Sequence, residues 1–209
     1  PVLYPGVGGL LRITQQELGY LVGLSRQRVN EALQALQAAG LIAVEYGGVR
    51  VLDLTNVLAG PFACHQLAHL GADVIKVEAR GTGDLARQLG ADAALNQAGM
   101  GVSFLAQNAG KRSITLDLKT ARGKEVFRRL VSTADILVEN FRPGVMARLG
   151  LGHAELLKDN GSLVYCAISG FGQDGPLRDL PAYDQIIQGM SGIMSISGAP
   201  ENAPYRVGY

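Results

Sequence analysis

The sequence predicts an α/β protein, a parallel sheet with flanking helices, preceded by a small helical module. Three observations carry this. From residue 49 onward, short runs dense in Val, Ile and Leu recur, as strands buried on both faces require. Helical segments separate these runs, and strict alternation of β and α elements implies parallel strands joined by right-handed crossovers. Before residue 47 the pattern is helical, and Gly47-Gly48 is a flexible pair at which the chain can change direction. The expected division is therefore residues 1–47 and residues 48–209.

In the first part, Thr14 is a good N-cap with Glu17 as its capping-box partner, and Leu18, Leu21 and Val22 share one helical face. Gly23 ends that helix. Ser25 caps a second one, in which Val29, Leu33, Leu36 and Ala39 repeat at helical spacing until Gly40 closes it. Residues 41–46, the glycine pair and residues 49–52 read as a hairpin wing. Two helices joined by a glycine-containing turn, the second opened by a serine, form a winged helix-turn-helix signature. In the second part the expected strands are 49–54, 73–77, 113–116, 136–138 and 163–168. The expected helices are 60–70, 85–107 with interruptions, 120–132, 143–149 and 153–159, giving a Rossmann-like sheet.

Composition narrows the function classes. The 209 residues carry a formal charge of +1, so no global field draws the chain to nucleic acid or anionic lipid. No run approaches the roughly 18 apolar residues of a membrane span, and no signal-peptide pattern opens the sequence, so no membrane partner is expected. Cys64 and Cys166 each sit in an apolar segment, a usage that fits a reducing, cytoplasmic setting. His65 and His69 share a helix face, but Cys64 does not and no third ligand suggests itself, so no metal is expected.

Open parallel sheets bind ligands outside the carboxyl ends of their strands. Here those ends are residues 55–61, 78–84, 117–119, 139–141 and 169–176. They hold small residues for close approach and contain or adjoin Arg80, Lys111, Arg112, Lys119, Arg142 and Arg148. Helix N-termini near Gly60 and Thr120 add amide donors. This inventory points to a phosphate-bearing ligand.

The helical segment ITQQELGYLVGLSRQRVNEALQALQAAGLI resembles the winged-helix module of the cyclic-AMP-receptor/fumarate-nitrate-regulator family. That resemblance implies base-reading side chains at the start of the second helix: Arg26, Gln27 and Arg28, with Asn30 one turn on. DNA is thus an expected partner of residues 14–39. Against this, Arg12, Arg26 and Arg28 are balanced by Glu17, Glu31 and Glu45, which leaves little phosphate affinity.

The remainder resembles the N-terminal half of the family III coenzyme-A transferases, also called the CaiB/BaiF family. The matching strings are VLDLTNVLAGP (51–61), LGADVIKVE (70–78), GD (83–84), NAGKRSITLDLK (108–119), ADILVENFRPG (134–144), GFGQDGP (170–176) and YDQIIQGMSGIMSISG (183–198). The resemblance implies coenzyme-A contacts at Leu58 and Ala59, at Leu116, Asp117, Leu118 and Lys119, and at Asn140, Phe141 and Arg142. It adds Arg148 and the loop Leu180, Pro181, Ala182 and Tyr183. The formyl-CoA enzyme's arginine falls on Ala79, with Arg80 next door as a candidate replacement.

The chemistry implied is CoA transfer between carboxylic acids. An aspartate attacks an acyl-CoA thioester, giving a mixed anhydride and then an enzyme–CoA thioester. Position 183 is a tyrosine where the racemases of the family have their histidine, which favours the transferase branch. No catalytic residue is expected within the chain, because the family's nucleophilic aspartate would fall just beyond Tyr209. Full-length members are interlocked homodimers with a second domain. The expectation is a fusion that binds acyl-CoA but is inactive alone. Its rivals are an acyl-CoA-responsive transcription regulator and a fragment without function.

Overall fold

Five parallel strands form one sheet in the order β3-β2-β1-β4-β5. The computed structural model describes residues 18, 20, 22, 23, 25–40, 48–201 and 204–208. The strands are β1 (Arg50–Asp53), β2 (Asp73–Glu78), β3 (Arg112–Thr115), β4 (Ile136–Glu139) and β5 (Val164–Ala167). The order runs outward from β1 in one direction and then reverses through β4, as in doubly wound sheets, so the switch point lies between β1 and β4.

The helices are α1 (Arg26–Ala38), α2 (Ala59–His69), α3 (Ala93–Gln97), α4 (Val102–Asn108), α5 (Ala121–Val131), α6 (Val145–Arg148), α7 (His153–Asp159) and α8 (Asp184–Met190). Short 3₁₀ turns occupy Leu85–Gln88 and Ile193–Ile196. Each strand of the sheet falls where the sequence places one. The region 85–107 resolves into a 3₁₀ turn and two short helices, as its interruptions suggest. Helix α8 went unread, although Ile186, Ile187 and Met190 carry helical spacing.

The strand chemistry follows burial. Strands β1, β2 and β4 are almost wholly buried, with Val51, Leu52, Val74 and Leu137 at 0–1% exposure. The outer strands β3 and β5 are more open. On one face Leu52, Leu54 and Leu137 pack with Phe127 and Val131 of α5 and Leu156 of α7. On the other, Val51, Val74 and Val138 meet Cys64 and Ala68 of α2. Helix α5 is capped as expected: the Thr120 hydroxyl accepts from Gly123 N at 3.0 Å.

In the N-terminal part, Ser25 caps α1 by accepting from Arg28 N at 3.4 Å, and Gly40 takes a left-handed φ of +68° after it. Val29 is the buried anchor of α1. The Thr14–Glu17 capping box and residues 41–46 of the wing lie outside the described residues. One expectation is corrected here. Residues 49–52 cannot close a hairpin wing, because β1 is bonded in parallel to β2 on one edge and to β4 on the other. Neither edge is free for an antiparallel partner.

Cys64 is buried and Cys166 exposed. Burial, reinforced by the neighbouring Asp53 carboxylate, pushes the Cys64 thiol up to about 12. Titration of the native protein with a thiol reagent at pH 8 will modify one cysteine per chain rapidly, and the second only after denaturation.

Candidate functional site

Three layers build the carboxyl edge of the sheet: a buried charge network, the turns it supports, and the exposed side chains those turns carry. The network begins with a polar residue inside each of two apolar strands. Asp53 of β1 and Lys76 of β2 are register partners, and both are 0–1% exposed. The Lys76 ammonium lies 3.9 Å from Asp53 Oδ2 and 2.9 Å from Asp84 Oδ2, and donates to Thr55 O at 2.8 Å. Lys111 donates to Asp53 Oδ2, Pro61 O and Asn108 Oδ1, each at 2.8 Å. Burial lowers the Lys111 pKa, while the Asp53 carboxylate opposes that shift. Two ammonium groups thus balance two carboxylates with almost no water, and removing any one partner would cost about 3–5 kcal/mol.

The second layer is the turn between β1 and α2. Gly60 is required there, because a Cβ at this position would collide with the Thr55 side chain. Val57 adopts φ +68°, the one non-glycine residue in the left-handed region among those described, and a β-branched side chain is strained there. Leu58 is the N-cap of α2 and offers no side-chain cap, so the opening amides of that helix lack a side-chain acceptor there.

A cavity of about 690 Å³ opens between the ends of β2 and β3, lined by Glu78, Ala79, residues 81–83, Arg87, Gln88, residues 96–99, Ser113 and Thr115. Glu78 is held within it on every side. Arg87 donates to both carboxylate oxygens at 2.6 and 2.7 Å, Ser113 Oγ at 2.6 Å and Asp84 N at 2.9 Å. The Arg87 guanidinium also stacks 3.7 Å from the Phe104 ring centroid. A second cavity, about 640 Å³, lies between β4, β5, α6 and α7 and holds Glu139, His153 and Tyr165.

The expected coenzyme contacts fall as follows. Leu58 and Ala59 open α2 at the end of β1. Residues 116–119 form the turn after β3, where Leu116 and Leu118 pack on the core and Asp117 and Lys119 are exposed. Asn140, Phe141 and Arg142 follow β4; Arg142 is exposed, whereas Phe141 packs against the core. Arg148 is exposed at the end of α6. Leu180, Pro181, Ala182 and Tyr183 lead into α8, and Ala182 seats so closely on Gly170, beyond β5, that no Cβ would fit at Gly170. The strand ends therefore gather these segments along one edge. Ala79 lines the 690 Å³ cavity, while the exposed Arg80 lies outside its lining.

Several side chains differ from expectation. Lys111 is not available to a phosphate, since its ammonium is buried on Asp53. Arg112 is exposed, but its guanidinium grips Asp73 at the opening of β2, at 2.6–3.0 Å. The His65 and His69 Nε2 atoms lie 2.9 Å apart, and His65 Nδ1 bonds to Ala109 O at 3.1 Å, so the two imidazoles engage each other. In α1, Gln27 and Arg28 are exposed and Asn30 half-buried, and Gln27 donates to Glu31 at 3.2 Å. Only the backbone of Arg26 is described.

The sequence reading missed the charge network, the Glu78–Arg87 pair and the polar grip on residue 57. A signal existed: a lone carboxylate in VLDL and a lone ammonium in DVIKVE, each where a central strand should be apolar.

Comparison with known proteins agrees with this architecture. Residues 46–209 match the model of CoA-transferase family III, and the chain belongs to that family. Residues 4–57 match the Crp-like helix-turn-helix domain. The succinate–glutarate CoA-transferase of Agrobacterium fabrum is 48% identical over 164 residues, 77% of this chain and 41% of that protein. The acetyl-CoA:oxalate CoA-transferase of Acetobacter aceti is also 48% identical, over 78% of this chain and 41% of its own length. Among solved structures, a CaiB/BaiF family protein from Brucella suis superposes with a TM-score of 0.69 at 39% identity, covering 80% of this chain and 44% of that one. The chain thus spans less than half the length of these relatives. Among the described residues, no helix is long and apolar enough to cross a membrane.

The Glu78 cage sets an acid limit. Burial alone would raise this carboxyl, but the hydrogen bonds from Arg87 and Ser113 and the charge of Arg87 outweigh it, moving it from 4.5 to about 2. A depressed folded-state pKa adds stability that is complete above pH 4.5 and lost as pH falls through about 2. Glu78→Gln will therefore lower stability at pH 7 by roughly 1.5–3 kcal/mol and flatten the stability–pH curve over that window, measured by denaturant unfolding at a series of pH values.

Proposed function

We propose that residues 48–209 bind coenzyme A or an acyl-CoA along the carboxyl edge of the sheet, as the coenzyme-binding part of a CoA-transferase. The carrying observation is the convergence of residues 58–59, 116–119, 140–142 and 180–183 at the ends of β1, β3, β4 and β5 in a chain of this family. Exposed Lys119, Arg142 and Arg148 supply cations for the phosphates of the coenzyme, and planar guanidinium groups suit them. The relatives' names pair acyl-CoA donors with dicarboxylic acceptors such as glutarate and oxalate, and we assign a carboxylic acid of that class as co-substrate. By the spacing that the family resemblance implies, the nucleophilic aspartate falls outside residues 1–209, and we assign these residues the binding step.

Isothermal calorimetry with coenzyme A will give a saturable heat. Arg142→Ala and Lys119→Ala will each weaken binding about five- to tenfold. Mixtures of succinyl-CoA and glutarate will show no thioester exchange above the buffer rate. A flat trace at millimolar coenzyme A would sink the binding reading, and exchange by residues 1–209 would sink the division between binding and transfer.

The match at residues 4–57 favours a second reading, an acyl-CoA-responsive regulator that reads DNA through α1. Arg28 and Gln27 are exposed at the start of that helix, where a helix-turn-helix contacts base edges. A gel shift on random-sequence duplexes at low salt will show retardation that coenzyme A alters and that Arg28→Ala weakens. Retardation indifferent to the coenzyme would separate the two halves functionally, against a regulator.

A further inference from the structure

The turn between β1 and α2 is bent into a conformation its own sequence resists, and polar side chains from three other elements hold it there. Val57, at φ +68°, has its amide on Asp84 Oδ1 at 3.0 Å. Its neighbour Asn56 is gripped at both backbone groups by Asn140. The Asn56 amide donates to Asn140 Oδ1 at 2.8 Å, and Asn140 Nδ2 donates back to Asn56 O at 2.8 Å. From α4, the Gln107 amide nitrogen, in the orientation that satisfies its surroundings, donates to Val57 O at 3.0 Å and Leu58 O at 3.2 Å. Asp84 is itself fixed, since it is 1% exposed, pairs with Lys76 and caps the 3₁₀ turn through Ala86 N.

This clamp closes across the switch point of the sheet, where Asn140 leaves β4 and Asn56 leaves β1. A backbone strain of this kind persists only when its surroundings over-determine it, and such sites concentrate where geometry must be preset. Both amide atoms of Asn140 are used on Asn56, so neither faces outward by default. We infer that Asn140 and Asp84 are positioning residues that hold Val57 in its strained conformation and thereby preset the Leu58–Ala59 backbone for the ligand. Gln107 completes the clamp from the third side. The inference takes its ligand from the coenzyme-binding reading above; the clamp itself stands on the hydrogen bonds and the strained φ.

The two are tested apart with wild type, Val57→Gly, Asn140→Ala and the double variant of the full chain. Glycine removes the steric penalty at residue 57, so Val57→Gly raises the melting temperature of the wild type by about 2–4 °C. Without Asn140 the turn relaxes on its own, so the same substitution raises the melting temperature of Asn140→Ala by less than half as much. Equal rises in both backgrounds, or none in either, overturn the clamp. In calorimetry with coenzyme A, Asn140→Ala weakens binding about tenfold and Val57→Gly about threefold, because each frees the turn before the ligand arrives. The double variant binds no more weakly than Asn140→Ala. Multiplicative losses, or a lowered melting temperature with unchanged affinity, overturn the positioning role. If the wild type gives no heat with coenzyme A, the ligand assignment fails and the melting comparison alone decides the clamp. Should Asn140→Ala not fold, Gln107→Leu takes its place in the same comparison.

Discussion

The carboxyl edge of this sheet depends on four charges buried beneath it: Asp53, Lys76, Asp84 and Lys111. Desolvating a carboxylate and an ammonium costs several kcal/mol each, and only close pairing with full hydrogen bonding offsets it. The set meets the pairing condition closely, with Asp84 Oδ2 held by the Lys76 ion pair alone. Lys111 makes three contacts at 2.8 Å, and Lys76 bridges Asp84 and the Thr55 carbonyl. Thr55 in turn donates its hydroxyl to Asp53 at 2.5 Å. The arrangement also specifies alignment. Apolar strands buried on both faces tolerate register slips better than half-buried ones, because Val opposite Ile resembles Val opposite Leu. Asp53 opposite Lys76 has no such tolerance: a shift of one residue would turn one of them to the other face of the sheet and leave both charges unpaired.

What the sequence made legible follows from which forces are local. Strand and helix positions were readable because apolar density, Thr120, Ser25 and Gly40 act within a few residues of themselves. The carboxyl-end rule then pointed to an edge of the sheet, and the segments it named do lie at the strand ends, with no long-range information used beyond strand polarity. The fate of individual cations was not readable. Lys111 and Arg112 stand at the opening of β3 and look in sequence like solvent-facing phosphate ligands, yet their partners Asp53 and Asp73 lie 58 and 39 positions away. Asn140 is similar: its bond to Asn56 spans 84 positions, and nothing in the string VENFRPG marks the asparagine as turned inward. Helix α8 was missed for a different reason. Its flanks, 170–181 and 191–200, are rich in glycine and proline and mask a short apolar periodicity.

The overlap of the two family matches, at residues 46–57, has a structural resolution. The string VRVLDL suits either a closing wing strand or the first strand of a parallel sheet. In this chain both of its edges are filled, by β2 and by β4, and the polar contacts of Asp53 tie it down further. A hairpin wing on the same strand would have to displace one parallel neighbour and expose the core that Val51 and Leu52 close. Within the helix-turn-helix match, α1 is a helix as that module requires, while residues 50–53 are a strand of the parallel sheet. The buried charge of Asp53 adds to the hold that the sheet has on this overlapping segment.

That hold bears on the ligand edge through one residue. Asp84 uses Oδ2 to neutralise Lys76 and Oδ1 to receive the amides of Val57 and Ala86, while its own amide binds Glu78. The same carboxylate thus belongs to the charge network, to the strained turn and to the cage around Glu78. A change that disturbs the interior charges will disturb the turn, because Asp84 Oδ1 is the acceptor that holds Val57 N. Conversely, a ligand that fits the preset turn is bound to the state in which the four charges are paired, and so favours the native sheet by mass action. On the proposed coenzyme-binding reading, stability and recognition would be coupled through shared oxygen atoms.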